Sequence, residues 1–547
     1  MGECAQGRGD SARAAGSQAA GVLRVRHGDG REQAAPIAPG DTVLDAARRA
    51  GAMVLAPCGG AGTCGHCAVT LEERDGNGET RSRVVLACQT PAEDGMTVLL
   101  DGAGGMAVTT GGTASAPRGG AAQPGDDTRY GLAVDIGTTT IAVYLVSLPD
   151  LAIREETGLV NPQAPYGGDV ISRIQAAGDP ANLDALRDGV RRAIADVAAD
   201  LCARRGIEPS AIERVSCAGN TVMECLAAGI DPTPLGAFPF TPPTLFGLEE
   251  DLSPLPARTY LAPAVAAYVG GDITAGIHVA GMRERVGLQL LVDIGTNGEM
   301  ALGNRDGIAC CATAAGPAFE GAGITFGMPA LPGAISAVRL REGDLAIDVI
   351  GEDEARGLCG SGLLDAVAAL LDAGVIDETG YLLDADEAAD EAPPAVVARL
   401  GEEGGQAVCY LDPARRVWLS QADVRQAQLA KGAIRAGIEV LLARRGVSAG
   451  DVDELALAGG FGTHLDVRSA ARIGLIPPEL ADRAVALGNA AGMGAVAALA
   501  DEGRAALQDI AGSCDYLELS TDPGFNDAYI EAMGFDEEQP AAEGRPR

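Results

Sequence analysis

Apolar and polar positions follow three regimes along this chain. From Gly21 the pattern opens with strand-like spacing (Val22, Leu23, Val25), passes through a helical stretch over Thr42–Ala50, and outlines a compact unit, 21–101. Residues 102–128, which include the run Thr109–Pro117 of Thr, Gly, Ala and Ser, hold almost no large apolar side chains and read as a flexible linker. A coil of about 27 residues has a root-mean-square span of roughly 30 Å, so the unit it carries is expected to travel. Beyond it, β-rich apolar runs alternate with Ala/Leu-rich helical runs, an α/β pattern. The stretch Asp372–Gly405 reads as an acidic, exposed insertion, and residues 1–20 and 534–547 as disordered tails.

Within the α/β part the chain echoes itself. Leu132-Ala133-Val134-Asp135-Ile136-Gly137-Thr138-Thr139-Thr140 returns as Leu291-Val292-Asp293-Ile294-Gly295-Thr296-Asn297, each an apolar strand ending in Asp-Ile-Gly-Thr. A weaker echo pairs Val215–Thr221 with Leu455–Phe461, in the same order. Two ordered echoes predict a duplicated two-lobed α/β unit, the lobes at 129–288 and 289–533, with a cleft between them.

Charge removes several classes of partner. The 547 residues carry 41 basic and 76 acidic side chains, a net charge of −35. Such a surface repels phosphate backbones, so neither nucleic acid nor anionic membrane is expected as a partner. Met1–Ala20 has no apolar run of the signal-peptide kind, and Ala484–Ala500 is 17 residues broken by Gly and Asn, short of the ~20 a spanning helix needs. The expectation is a soluble, cytoplasmic protein. Thirteen cysteines in that setting do not suggest a disulfide framework.

Four of those cysteines form a pattern: Cys58-x5-Cys64-x2-Cys67, then Cys88. The first three sit among glycines, which let the backbone wrap closely and donate N–H groups to sulfur, as an iron–sulfur cluster requires. A zinc site more often shows two close cysteine pairs. The unit resembles a plant- or adrenodoxin-type [2Fe–2S] ferredoxin of α+β, β-grasp fold. The resemblance implies Cys58, Cys64, Cys67 and Cys88 as ligands and one-electron transfer at about −400 mV. The first gap matches the adrenodoxin branch, and the last is shorter than usual in either.

No Walker sequence is present. Instead each Asp-x-Gly-Thr closes a strand and begins a tight turn whose N–H and hydroxyl groups can face phosphate oxygens. The carboxylates of Asp135 and Asp293 are placed to hold hydrated Mg²⁺ or to orient water. At this point the chain resembles the actin-like ATPase superfamily. That resemblance makes Asp135 and Asp293 the catalytic pair. It makes Gly137, Thr138, Thr139, Gly295, Thr296 and Asn297 the two phosphate motifs, and Gly459 and Gly460 of Leu457–Gly462 the adenosine motif. Leu487–Gly492 is similar to a connecting helix at the lobe hinge. Lys431, the single lysine against 40 arginines, precedes the adenosine motif and joins the nucleotide contacts as a candidate. Lesser candidates are Gly360-Ser361-Gly362, Gly270-Gly271-Asp272, Gly168-Asp169 and Glu320, which could position water. Cys310, Cys311 and Cys359 read as small core residues.

A ferredoxin leashed to an ATPase suggests an electron pushed uphill, since each ~59 mV of unfavourable one-electron potential costs a factor of ten in equilibrium. The whole arrangement, over residues 21–533, resembles the reductive activators of corrinoid proteins. Asn161-Pro162-Gln163, Gly168–Ile174 and Gln428-Leu429-Ala430-Lys431 also look typical of that family. The resemblance implies ATP-dependent return of a Co(II) corrinoid, on a methyl-transferring partner protein, to Co(I). It implies an upstream electron donor and a homodimer as well. Two rivals stay open: an ATP-dependent electron activator of another low-potential enzyme, such as those serving 2-hydroxyacyl-CoA dehydratases, and a nucleotide-dependent redox sensor or scaffold.

Overall fold

Alternating strands that bury one face need a second layer, and among the described residues of the N-terminal unit a short helix supplies it. The computed structural model describes residues 21–27, 32–50, 54, 67–74, 80–100, 129–352, 354–462 and 465–535. The expectations for the tails at 1–20 and 536–547, for the linker 102–128, and for Cys58 and Cys64 lie outside the described residues. Strands β1 (Gly21–His27), β2 (Glu32–Ile37), β3 (Ala68–Arg74), β4 (Thr80–Leu86) and β5 (Thr97–Leu100) form a mixed sheet of order β2-β1-β5-β3-β4. β1 runs parallel to β5, and the other pairings are antiparallel. Helix α1 (Val43–Arg49) starts where Thr42 and Asp45 cap each other: Asp45 N–H donates to Thr42 Oγ1 at 3.2 Å, and Thr42 N–H to Asp45 Oδ2 at 3.0 Å. Its Leu44 and Ala47 bury against Leu23, Val25, Leu71 and Val98.

Met1–Ala103 and Gly104–Arg547 are separate compact units. In the larger one, β6 (Tyr130–Ile136), β7 (Thr140–Ser147) and β8 (Ala152–Val160) make an antiparallel meander. Helices α2 (Val170–Ala177) and α3 (Pro180–Arg205) lead to β9 (Ile212–Gly219), parallel to β6. After α4 (Thr221–Ala228) and β10 (Leu248–Glu250) comes β11 (Thr259–Leu261), parallel to β9. The sheet order is β10-β11-β9-β6-β7-β8.

After α5 (Gly271–Val279) the plan repeats with the meander β12 (Gln289–Ile294), β13 (Gly298–Asn304) and β14 (Gly307–Thr313). An inserted region follows: β15 (Ala334–Arg341), β16 (Asp344–Val349), β17 (Gly357–Leu358), α6 (Gly360–Asp372), α7 (Pro394–Val397), β18 (Leu400–Glu403), β19 (Gln406–Tyr410) and β20 (Trp418–Ser420), whose strands form two three-stranded sheets. Then α8 (Gln421–Arg445) leads to β21 (Glu454–Ala458), α9 (Gly459–Gly462), α10 (Val467–Arg472), β22 (Ala484–Gly488), α11 (Ala490–Ala497), α12 (Asp501–Ser513), β23 (Cys514–Leu517) and α13 (Phe525–Met533). The second sheet has order β22-β21-β12-β13-β14-β23.

Register demonstrates the duplication. Asp135 at the end of β6 lies opposite Ala218 of β9, and Asp293 at the end of β12 lies opposite Ala458 of β21. A third echo appears only with the structure in view. Ala203-Arg204-Arg205-Gly206-Ile207 closes α3 and Ala443-Arg444-Arg445-Gly446-Val447 closes α8, with Ile207 N–H bonding back to Cys202 O and Val447 N–H to Leu442 O.

The two lobes exchange helices. α5 follows the first sheet but packs Ile273 and Ile277 on Leu291 and Ala301 of the second. α11 belongs to the second lobe but packs Ala491, Met493 and Ala495 on Ala133, Tyr144 and Ala218 of the first. The two helices touch where Gly494 meets Ala275, an approach so close that any side chain at 494 would run into it. The first turns of both helices, at Asp272 and at Ala490 and Ala491, line the cleft between the lobes. Among the described residues no helix is long and apolar enough to cross a membrane.

Two expectations about the periphery are corrected. The stretch 372–405 exposes its carboxylates but is docked through Leu382, Ala388, Val396 and Leu400, all buried in the second-lobe core, because an apolar residue recurs every few positions. The tail does not begin at 534: Phe535 is buried, and its N–H donates to Glu378 O at 2.8 Å.

Candidate functional site

The first Asp-x-Gly-Thr loop, between β6 and β7, is fixed from behind. Asn161 Nδ2 donates to Gly137 O at 2.8 Å, Arg173 Nη2 to Thr138 O at 2.6 Å, and Asn161 N–H to Thr139 O at 2.9 Å. In a trans peptide the C=O and the following N–H point opposite ways. Tying down these carbonyls therefore turns the N–H groups of Thr138 and Thr139 toward the cleft those residues line. Arg173 is fully buried, and burial draws its pKa down to about 10, so it stays cationic at neutral pH behind a loop suited to anions. Asn161 and Arg173 belong to the stretches that the sequence marked only as typical of a family.

The second loop, between β12 and β13, turns back on itself, with Gly295 N–H donating to Asn297 O at 3.0 Å. Glu320, on the turn after β14, joins the two loops. Thr139 Oγ1 donates to one carboxylate oxygen at 2.7 Å and Thr296 Oγ1 to the other at 2.8 Å. Asn220 Nδ2 reaches Thr138 Oγ1 at 3.1 Å. Gly459 has φ of +86°, and a Cβ there would lie 2.5 Å from Asp293 Oδ1, so only glycine lets the start of α9 approach that carboxylate.

These groups enclose a cleft of about 360 Å³, within the usual range for a small-molecule site. Asp135, Gly137, Thr138, Thr139, Asp293, Gly295, Thr296, Asn297, Gly459 and Gly460 all line it. Lys431 does not. Its ammonium is buried elsewhere, bonded to Gly534 O and 4.7 Å from the Phe535 ring centre, so it anchors the segment Gly534-Phe535 rather than a nucleotide. Among the lesser candidates Glu320, Asp272, Gly360 and Ser361 line the cleft, and Cys359, read as a core residue, is buried at its wall. Asp169 instead caps α2 through Ser172 N–H at 2.8 Å, and Cys310 and Cys311 are core residues of β14.

The described lining holds no Arg, Lys or His, yet it carries several acids. Burial, with Asp293 nearby, pushes Asp135 up to about 7 against the opposing hydrogen bond from Asn489 Nδ2 at 2.9 Å. Burial alone pushes Asp293 up to about 6, and burial with Asp293 raises Asp272 to about 7. Glu299, opposite Asp293 on β13, is raised well above the usual carboxylate range by burial and by Asp272 and Asp293. Asn220, Asp272, Glu299 and Asn489 were not singled out as nucleotide contacts from the sequence. Asp272 and Asn489 fell inside marked motifs and Asn220 inside the marked echo Val215–Thr221, whereas Glu299 fell in none.

A site of crowded carboxylates favours a cation. No three Asp, Glu, His or Cys groups among the described residues converge closely enough to hold a metal directly. That donor set suits Mg²⁺, which keeps most of its waters and takes one or two carboxylates plus substrate phosphates.

The raised values carry a stability consequence. Between about pH 4 and 7 the folded chain binds protons at Asp135 and Asp293 that the unfolded chain releases, so stability falls as pH rises through that window. Without nucleotide or Mg²⁺, Asp135→Asn and Asp293→Asn should raise the Tm of the larger unit at pH 8 and leave it nearly unchanged at pH 5. Calorimetric scans at both pH values check this, and equal shifts at the two would contradict it.

In the smaller unit, Cys67 precedes β3 and Cys88 follows β4. Their sulfurs lie 3.1 Å apart, beyond the roughly 2.05 Å of a disulfide, and Cys88 N–H donates to Cys67 Sγ at 3.4 Å. Two thiols brought together under a backbone N–H fit one side of an iron–sulfur site.

Comparison with known proteins follows this geometry. Residues 287–543 match the C-terminal domain of RACo, the ASKHA domain; residues 130–285 match the RACo middle region; residues 27–93 match the 2Fe-2S iron-sulfur cluster binding domain. The chain is 34% identical over 416 residues to the corrinoid activation enzyme RamQ of Eubacterium limosum, covering 73% of this chain and 69% of that protein. It is 26% identical over 446 residues to the Co(II) methylated amine-specific corrinoid protein reductase of Methanosarcina barkeri, covering 73% and 76%. A solved reductive activator for corrinoid, iron–sulfur protein shares the fold at a TM-score of 0.67 and 28% identity, covering 94% of this chain and 98% of that one. A 2Fe-2S domain, a RACo middle region and an ASKHA domain follow one another along this chain, and with that order and the likeness to RamQ the chain belongs to the family of corrinoid activators.

Proposed function

We propose that this chain couples ATP hydrolysis to one-electron reduction of a Co(II) corrinoid, returning it to Co(I) on the partner protein of a corrinoid-dependent methyltransferase. The observation that carries the reading is the cleft itself. Two matched Asp-x-Gly-Thr loops come from separate lobes and lie close enough for Thr139 and Thr296 to share one carboxylate. The backbone N–H groups of Thr138 and Thr139, with the hydroxyls of Thr138, Thr139 and Thr296, would bind the phosphates. Asp135 and Asp293 would order hydrated Mg²⁺ and the attacking water, with Asn489 holding Asp135 in place. Gly459 and Gly460 would admit the nucleoside against the backbone.

Cys58, Cys64, Cys67 and Cys88 would hold a [2Fe–2S] cluster, which when bound supplies low-potential one-electron transfer. The partner set is a corrinoid protein, an upstream electron donor and a second copy of the chain.

The test mixes the dithionite-reduced chain with a Co(II) corrinoid protein and follows Co(I) by its visible absorbance. Co(I) should accumulate only with ATP and Mg²⁺, and ATP turnover should rise when the corrinoid protein is present. Equal Co(I) formation without ATP would remove the coupling. ATP-dependent binding with no Co(I) would favour a sensor or scaffold.

A further inference from the structure

Each threonine hydroxyl carries one proton and can donate one hydrogen bond. Thr139 and Thr296, the hydroxyl donors of the two facing loops, both spend that proton on Glu320, one at each carboxylate oxygen. A phosphate oxygen held by those hydroxyls must take the protons from Glu320, and two anions do not share one donor pair without mutual repulsion. Glu320 therefore stands where an anionic ligand must stand, and it links the lobes while it does so.

The segment bearing Glu320 is tied to the cleft wall. Phe319, its neighbour, stacks on Phe461 of α9 with ring centres 5.1 Å apart and planes 9° from parallel. The start of α6 presses on the same turn, because a side chain at Gly360 would run into Phe319 O. Just beyond, a Cβ at Gly321 would lie 2.7 Å from Met328 N, and Met328, Pro329 and Ala330 line the cleft. Moving Glu320 out of the loops shifts a turn in contact with α9, α6 and the 328–330 wall.

We propose that Glu320 is a built-in anionic placeholder: it bridges Thr139 and Thr296, and the phosphate of the bound nucleotide displaces it, so that phosphate occupancy is passed to the 317–330 segment. This deepens the nucleotide reading of the cleft and rests on it. Glu320 is thus a positioning residue that competes with the ligand.

Competition has a signature that a merely structural role does not. Removing a structural contact weakens binding, whereas removing a competitor strengthens it. Binding of a non-hydrolysable ATP analogue with Mg²⁺ is measured by calorimetry on the full-length wild type and on Glu320→Ala and Glu320→Gln. Loss of two charge-assisted hydrogen bonds that oppose the ligand should tighten binding about tenfold in Glu320→Ala, and by a smaller factor in Glu320→Gln, which keeps the shape without the charge. Hydrogen exchange over 317–330 should change when the analogue is added to wild type, and Glu320→Ala should show that changed pattern without nucleotide. If wild type binds the analogue and both variants bind equally or more weakly, the placeholder is refuted while the nucleotide reading stands. If wild type binds no adenine nucleotide, both fall. Glu320→Gln serves as the near-isosteric control should Glu320→Ala fold poorly.

Discussion

Asp135→Asn and Asp293→Asn are each expected to cut ATP turnover by at least an order of magnitude, about 1.4 kcal/mol or more in the barrier. Each substitution keeps the volume and removes the charge that is proposed to organise the metal and the water. The two aspartates end matched strands, in the same register against β9 and β21, so losing either should remove half of a two-sided clamp. Reduction of the Co(II) corrinoid should then fail, while the cluster on the separate N-terminal unit stays fully reducible by dithionite. Steady-state phosphate release, read beside the visible spectrum of the reduced chain, checks both halves. Normal delivery of electrons to cobalt by the Asn variants would uncouple ATP from transfer and defeat the proposed function.

The second large effect lies in the N-terminal unit. Cys67→Ala should remove most of the ferredoxin-like visible absorbance and lower iron from about two per chain toward zero. Cys64→Ala should do the same. Cys67 is buried beside Cys88 at the edge of a small core, where an alanine leaves little space unfilled, so the unit should still fold. Binding of the ATP analogue should be unchanged, because the larger unit has its own sheets and cores. Iron analysis and calorimetry decide it. A variant that loses nucleotide binding together with the cluster would show that the two units do not act separately, and retained iron without visible bands would remove the cluster assignment.

What could be read from the chain follows from the range of each interaction. Asp135 and Asp293 were legible because a strand, its terminal carboxylate and the following turn are contiguous, and duplication displays the motif twice. The bridge from Thr139 to Glu320 spans 181 positions, and no local pattern announces it. Asn161 and Arg173 escaped as loop-holding residues for a different reason. They bond backbone carbonyls, which every residue has, so nothing in the loop's sequence names its supports. Lys431 misled because it is rare. A lone lysine invites a role in chemistry, yet its ammonium is satisfied by a carbonyl and an aromatic face packed on the middle of α8. The acidic stretch 372–405 misled because charge was weighed above the spacing of Leu382, Val396 and Leu400.

That buried ammonium has a practical corollary. The chain has no other lysine, and its one side-chain amine is buried between α8 and Gly534-Phe535. Acylating reagents can reach Lys431 only when the structure packed over it, Gly534-Phe535 among it, opens, and local opening of that segment is one route. The rate at which an amine-directed dye enters that position is then a clock for the opening of the Gly534-Phe535 segment that follows α13. A comparison with and without a partner protein would show whether that edge of the second lobe is held or released during the reaction cycle.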